Sequence, residues 1–423
     1  MKVVIVGNGI AGNEVAFTIR EFDKDIEITI ISAEKFPGYT PSSLPYFVGG
    51  EVSRDAVFRK NVDDYKDKNI HLIVDNKAES IDPIAKIVKT GKGGKYSYDK
   101  LVLSYGVGPF IPPIKGVEKE NVLSFKQLED ADRLFCQKDG TSVVIGSGAI
   151  GIGVAEALKK RGCDVTIIEL LDWVLPNLFD EPAARRLEKS MKDCGIHVLT
   201  GERVLNINGN TGFTEVMTNK RKIPCDTVVM AAGVVPENTA AETAGIEVGY
   251  GIKVNKRMET NIEDIYACGD CVETTDFSTG ENCMYPLMHN AIEQAHVVAR
   301  NIVGQKVSYP GAYLFTRIHI FDTYAVTFGK TIKSIPDLSD IEIFKRESKD
   351  GYLRVLLKSG EIVGVQAIGT YADHIGLFLG AMKRHDNLNT LRKEWKKIIG
   401  IGSPHSWIYR KMGLLIGLSA LDH

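Results

Sequence analysis

Apolar residues along this chain gather in short unbroken runs, and the arrangement of those runs repeats. Val3-Val4-Ile5-Val6 leads into Gly7-Asn8-Gly9-Ile10-Ala11-Gly12, a helical stretch through Arg20, and a second run, Ile26 to Ile31, that ends near Glu34. The layout recurs as Ser142-Val143-Val144-Ile145, then Gly146-Ser147-Gly148-Ala149-Ile150-Gly151, a helical stretch through Lys160, and Val165-Thr166-Ile167-Ile168 ending at Glu169. Runs of Val and Ile without polar alternation predict strands covered on both faces, as in parallel sheets with helices above and below. The fold class expected is α/β, with two doubly wound, Rossmann-like units. Beyond Gly304 the pattern changes. Phe315 to Thr327 and Leu353 to Gln366 read as strands joined by turns such as Lys358-Ser359-Gly360, followed by an amphipathic helix around Ile375 to Met382. That is an α+β module with no glycine fingerprint.

A length of 423 residues exceeds what one hydrophobic core serves, so roughly two to four domains are expected. Hydrophobic content of 44% and charged content of 25% are ordinary for a soluble globular protein. The formal net charge of −2 argues against non-specific nucleic-acid binding. The first residues run straight into a strand with no leader pattern, and no apolar run approaches the roughly 18 residues of a membrane span, so a cytoplasmic location is expected. Met412-Gly413-Leu414-Leu415-Ile416-Gly417-Leu418 is too short to cross a bilayer and reads better as a docking segment than as a membrane contact. The seven cysteines (136, 163, 194, 225, 268, 271, 283) have no framework spacing and read as reduced thiols. Cys268-Gly269-Asp270-Cys271 spells CxxC, yet no second ligand pair accompanies it, so it reads as two small apolar residues and no metal is expected.

The glycine spacings carry the chemistry. In G-x-G-x-x-G the first glycine makes the turn, the second lets backbone approach a pyrophosphate, and the third lets helix and strand pack closely; the helix N-terminus supplies unpaired N–H groups for the phosphates. Both copies follow a strand and open a helix, the context that gives the motif its meaning. Gly7, Gly9, Gly12 and Gly146, Gly148, Gly151 therefore mark two dinucleotide sites. Glu169, 18 residues after Gly151, is placed to accept from ribose hydroxyls and would repel a 2′-phosphate, which points to NADH rather than NADPH. Glu34, 22 residues after Gly12, is the corresponding candidate in the first unit, and a solvated strand-end acid is the alternative because Ser32 holds the more usual place.

A third motif, Thr260 to Asp270 with Ile265-Tyr266-Ala267-Cys268-Gly269-Asp270 at its end, resembles the second FAD fingerprint of the pyridine nucleotide-disulfide oxidoreductase superfamily. By that resemblance Gly269 and Asp270 hold the flavin's ribityl chain. Leu101 to Gly106 and Val228 to Gly233 resemble the family's two crossover segments, and Tyr285-Pro286-Leu287, with Ala291 and Gln294, resembles its flavin-proximal helix start. Leu44-Pro45-Tyr46 with Gly49-Gly50 is closest to the branch of coenzyme A-disulfide reductases, NADH oxidases and persulfide reductases, and the segment from Tyr309 to about Leu391 resembles their dimerisation domain. Glu34 with Tyr39 instead resembles rubredoxin and ferredoxin reductases, which need no redox cysteine. The resemblance implies an FAD-binding domain over 1–112 and 239–308, an NAD-binding domain over 113–238, and a C-terminal dimerisation domain over 309–423. FAD and NADH are the cofactors it implies, and a homodimer the assembly.

Two departures from the branch matter. Ser42 stands where it carries its redox cysteine, and Gly153 where it usually carries a glutamate in the NAD-domain helix. Ser403 to Tyr409 also lacks the proline-rich closing segment of disulfide reductases. By the resemblance, hydride passes from NADH to flavin N5, and an acceptor takes electrons at the opposite face, beside Ser42. The protein's part in the reductive half is orientation, so no acid–base residue is obligatory. Two acceptor readings stand open. One is a thiol-independent NADH:acceptor oxidoreductase reducing dioxygen, quinones or rubredoxin-like proteins. The other is a coenzyme A-disulfide or persulfide reductase without its cysteine, diverged or substituted. A third, from another class, is a non-catalytic flavin-bound redox-sensing or interaction scaffold. His405, His289 and His296 read as structural, with His289 the one near the flavin.

Overall fold

Each Val/Ile run becomes the middle of a parallel sheet. The computed structural model describes residues 1–137, 139–210 and 213–389. The chain forms two compact units, one of Met1–Pro112, Ser124–Lys138 and Ala232–Tyr313, the other of Pro113–Leu123, Asp139–Ala231 and the chain from Leu314. Residues 124–138 thus group with the first unit. Ser403 to Tyr409, with His405, and Met412 to Leu418 lie outside the described residues.

In the first unit five parallel strands run in the order Ile265–Ala267, Lys100–Leu103, Lys2–Val6, Glu27–Ile31, Ile70–Ile73. Ile5 pairs with Ile30 on one side and Val102 on the other, and all three are completely buried. Chain order reverses between Lys2–Val6 and Lys100–Leu103. Connections leave the carboxyl ends of those strands in opposite directions there, which opens a crevice where such folds take ligands. The Ile10–Phe22 helix packs on the Met288–Ile302 helix. A small antiparallel sheet of Ala78–Asp82, Ile87–Thr90 and Lys95–Ser97 completes the unit.

The second unit repeats the plan with His197–Leu199, Asp164–Ile168, Thr141–Ile145 and Thr227–Met230, and Val122–Ser124 at the edge. A three-stranded antiparallel sheet, Val204–Asn210, Phe213–Thr218 and Lys222–Cys225, shares its core through Ile207, Val216 and Val228. The C-terminal module is a five-stranded antiparallel sheet in the order Phe315–Ile320, Thr323–Gly329, Glu361–Gly369, Gly351–Lys358, Ile341–Glu347. Its helix, Ile375–Lys383, buries Ile375, Phe378, Ala381 and Met382, the expected amphipathic face. The edge strand Ile341–Glu347 is the element the hydrophobic pattern leaves out, because its positions are mostly exposed. Among the described residues no helix is long and apolar enough to cross a membrane.

Candidate functional site

The first glycine loop shows three different environments. Gly7 has φ +112°, donates its N–H to Ile31 O at 2.8 Å, and a Cβ there would lie 2.3 Å from Ser104 O. A Cβ on Gly12 would lie 2.0 Å from Gly7 O. At Gly9, by contrast, a Cβ would meet nothing within 4 Å. The turn and the packing contact are thus internal to the protein, while the middle glycine faces open space. Ser104 braces the loop by donating Oγ–H to Val6 O (3.1 Å) or Gly7 O (3.3 Å).

Gly269 and Asp270 arrive at the same place. A Cβ on Gly269 would lie 2.8 Å from Ala11 Cβ, and the Gly269 N–H donates to the buried Gln294 Oε1 at 2.8 Å. Burial pushes the Asp270 carboxyl above the usual range, while Lys126, with Nζ 3.9 Å from Asp270 Oδ2, opposes the shift. The same lysine acts on Glu34, whose carboxyl burial also raises. Lys126 is the site residue the sequence reading missed. Lying just before the Leu128–Phe135 helix, it belongs to no motif, and only the folded structure, where its side chain is 20% exposed beside Asp270, marks it. Glu34 is not a freely solvated acid: it accepts from Tyr39 Oη at 2.7 Å, and that oxygen accepts from Leu128 N–H at 3.2 Å.

Ser42 sits exposed on the 3-10 turn Pro41–Ser43, just before the Leu44–Val48 helix. A Cβ on Gly106 would meet nothing within 4 Å. Gly233 falls in the same unit, its carbonyl accepting from Phe110 N–H at 2.9 Å beside the pairing of Val234 with Pro109. A cavity of about 540 Å³ lies there, lined by Gly108, Pro109, Val235, Pro236, Asn238 and Glu242 among others. Pro286 and Leu287 lead into the Met288–Ile302 helix, whose first turn has no side-chain cap; uncapped amides there favour an electronegative ligand. His289 Nε2 lies 3.0 Å from Tyr313 O with its ring on the Tyr313 ring, and His296 pairs with Glu14 at 3.5 Å. Cys268 and Cys271 are completely buried, and burial pushes both thiols up, Cys271 to about 12.

The second glycine loop copies the first. Gly146 has φ +105° and donates to Ile168 O at 2.9 Å; a Cβ on Gly151 would lie 2.1 Å from Gly146 O; a Cβ on Gly148 would meet nothing within 4 Å. Glu169 turns inward. Its carboxylate accepts from Ser147 N–H (3.0 Å), Ser147 Oγ–H (2.5 Å) and Leu171 N–H (2.9 Å), and the residue is 8% exposed. It therefore braces the loop, and a carboxylate with about four acceptor positions keeps capacity for a ribose hydroxyl. Gly153 is half-buried on the Ala149–Lys160 helix, one turn before the buried Glu156, which pairs with Lys160 at 2.9 Å.

These residues fit the two dinucleotides. Each cradle offers backbone amides at a helix start next to a glycine whose missing side chain leaves open space, and each holds a carboxylate, the half-buried Glu34 or the buried Glu169, able to accept from sugar hydroxyls.

Two nucleotide cradles on two doubly wound sheets define a dinucleotide-dependent oxidoreductase class. The family pattern of pyridine nucleotide-disulphide oxidoreductases matches residues 1–297, and the chain belongs to that family. It is 32% identical over 392 residues to an NADH oxidase of Methanocaldococcus jannaschii, covering 87% of this chain and 88% of that one. It is 30% identical to a rubredoxin-NAD(+) reductase of Pseudomonas putida, over 73% of this chain and 82% of the other. Among solved structures, an NAD-dependent persulfide reductase from A. fulgidus superposes with a TM-score of 0.88 at 31% identity, covering 93% of this chain and 79% of that one.

Proposed function

We propose that this chain is an NADH:acceptor oxidoreductase whose electrons leave without a redox thiol. The chain is an FAD-dependent NADH oxidoreductase, and bound FAD supplies the two-electron relay from NADH to the acceptor. In this reading Gly7, Gly9 and Gly12 would hold the FAD pyrophosphate, Glu34 its ribose, and Gly269, Asp270 and Lys126 the chain beyond it. Gly106, Pro286 and Leu287 would border the flavin. Gly146, Gly148, Gly151 and Glu169 would hold NADH, with Gly233 in the second crossover segment. Residues 1–112 and 239–308 would then be the FAD part, 113–238 the NAD part and 309–423 the part that makes a homodimer, working in the cytoplasm.

One observation favours the thiol-free outlet. Ser42 occupies the outlet position of the resemblance, and the thiols on the candidate FAD-binding turn, Cys268 and Cys271, have no exposure. A thiolate is the reactive form, and a thiol pushed to about 12 stays protonated at neutral pH. The acceptor is then one that takes electrons directly: dioxygen, a quinone, or a small redox protein such as a rubredoxin.

The test is steady-state NADH oxidation by the FAD-loaded chain against dioxygen, a quinone, rubredoxin, coenzyme A disulfide and coenzyme A persulfide, run beside Ser42→Cys. Turnover with one of the first three and none with the sulfur acceptors, which only Ser42→Cys reduces, supports the proposal. Equal reduction of the disulfide by both forms overturns it. Failure of NADH to bleach the flavin anaerobically would favour the scaffold reading instead.

A further inference from the structure

We infer that Tyr65 is a positioning residue tying the first glycine loop to the loop that carries Ser42, so that filling the FAD cradle orders the acceptor-side loop. The inference rests on the functional reading above. Its basis is a ring of hydrogen bonds buried in the first unit. Tyr65, on the Val62–Asp67 helix, is 1% exposed. A phenol has one proton to give, and the 2.6 Å contact to Asn13 Oδ1 takes it in preference to Asn8 Oδ1 at 3.1 Å. Asn13 Nδ2 then donates to Asn8 O (2.8 Å), Asn8 Oδ1 (2.9 Å) or Gly9 O (2.9 Å). Asn8 Nδ2 donates onward to Phe36 O at 3.3 Å, and Gly38 N–H donates back to Tyr65 Oη at 2.9 Å. The ring starts and ends on residues 36–38, four to six positions before Ser42, and passes through two side chains of the glycine loop and its helix.

Gly38 shows how closely the parts fit. A Cβ there would lie 2.6 Å from Asn13 Nδ2 and 2.9 Å from Tyr65 Oη. The second glycine loop solves the same problem with the residue at the same place. Ser147, between the first two glycines, is completely buried and holds Glu169 and the N–H of Leu175. In each loop the residue between the glycines anchors it, but only in the first does the anchor lead to the segment that precedes Ser42. Fully satisfied buried networks fix one arrangement of the backbone they join. A ligand that selects one arrangement of the glycine loop therefore selects one arrangement of residues 36–42.

The experiment measures FAD affinity of the flavin-depleted full chain by fluorescence quenching, and amide hydrogen exchange over residues 39–44 with and without FAD. Tyr65→Phe keeps the ring packed edge-on against Phe17, with centroids 5.6 Å apart, and removes only the hydroxyl. Tyr98→Phe is the control, since that hydroxyl is equally buried and has no hydrogen-bond partner. FAD is expected to slow exchange over 39–44 in the natural chain and in Tyr98→Phe. In Tyr65→Phe it should bind about tenfold more weakly and leave exchange there unchanged. Asn8→Ala, which opens the ring at its other side, should do the same. Natural affinity and natural slowing in Tyr65→Phe overturn the inference, and so does weaker binding with the slowing intact, which would be a merely structural loss. If the natural chain binds no FAD, the functional reading fails and this inference with it; if it binds FAD and exchange over 39–44 does not slow, this inference alone fails.

Discussion

Substituting alanine at Gly9 and at Gly12 separates a ligand-facing glycine from a packing glycine in the same loop. At Gly12 the new methyl would lie 2.0 Å from Gly7 O and 2.8 Å from Ser104 Oγ. The first of these is backbone in a loop already pinned to Ile31 O, so it has little room to yield. Overpacking costs about 1–3 kcal/mol and occasionally more, and a carbon more than 1 Å inside normal contact belongs at the upper end. At about 2–4 °C per kcal/mol, the FAD-free protein should melt roughly 6–12 °C lower. At Gly9, φ is −75° and ψ −167°, which alanine adopts without strain, and a Cβ meets nothing. Alanine is a worse N-cap than glycine by a few tenths of a kcal/mol or more, and the stiffer unfolded chain offsets about that much. The FAD-free Gly9→Ala protein should thus melt within about 2 °C of the natural one. Its FAD affinity should fall by about 1–3 kcal/mol, roughly 5- to 150-fold, because the methyl enters the space left for the ligand. The assay is thermal unfolding of the flavin-depleted chain beside an FAD titration. The reasoning is refuted if Gly12→Ala melts normally, or if Gly9→Ala melts as low as Gly12→Ala yet binds FAD with natural affinity.

Other outcomes follow from two carboxylates, the half-buried Asp270 and the buried Glu169. Burial raises the Asp270 carboxyl, so the folded chain holds that proton more tightly than the unfolded one; stability from this group is greatest at low pH and falls as pH rises through the folded value. Asp270→Asn should therefore melt higher than the natural FAD-free chain at pH 7, with the gap closing towards pH 4 and with weaker FAD binding; a gap that widens on acidification would contradict this. Glu169→Gln turns one acceptor oxygen into a donor facing Ser147 or Leu171 and removes the charge that repels a 2′-phosphate. It should raise the NADPH-to-NADH ratio of kcat/KM about tenfold, for roughly 1.4 kcal/mol of lost discrimination; an unchanged ratio shows that Glu169 only braces the loop.

Much of this was legible in the chain itself. The Val/Ile runs and the glycine spacings located both parallel sheets, because a strand buried on two faces must be apolar throughout and a dinucleotide turn tolerates few alternatives. The small antiparallel sheet at Ala78–Ser97 and the edge strand Ile341–Glu347 were not legible: both are short or mostly exposed, so no hydrophobic period marks them. Lys126 escaped for a different reason. Its importance lies in facing Asp270, 144 positions away in sequence, and no local pattern encodes that pairing.

The inward turn of Glu169 shows the same division. Sequence placed a carboxylate at the strand end and said what charge it brings, since residue type and spacing determine chemistry and reach. Only the tertiary structure decided that the carboxylate also holds Ser147 and Leu171. Ser42 divides likewise: the chain alone settles that no thiol stands there, because that is covalent composition. That the loop around it is tied through Tyr65, Asn13 and Asn8 to the glycine turn was decided by folding, because hydrogen bonds among residues 4 to 57 positions apart exist together only once the sheet and helices have brought them into place.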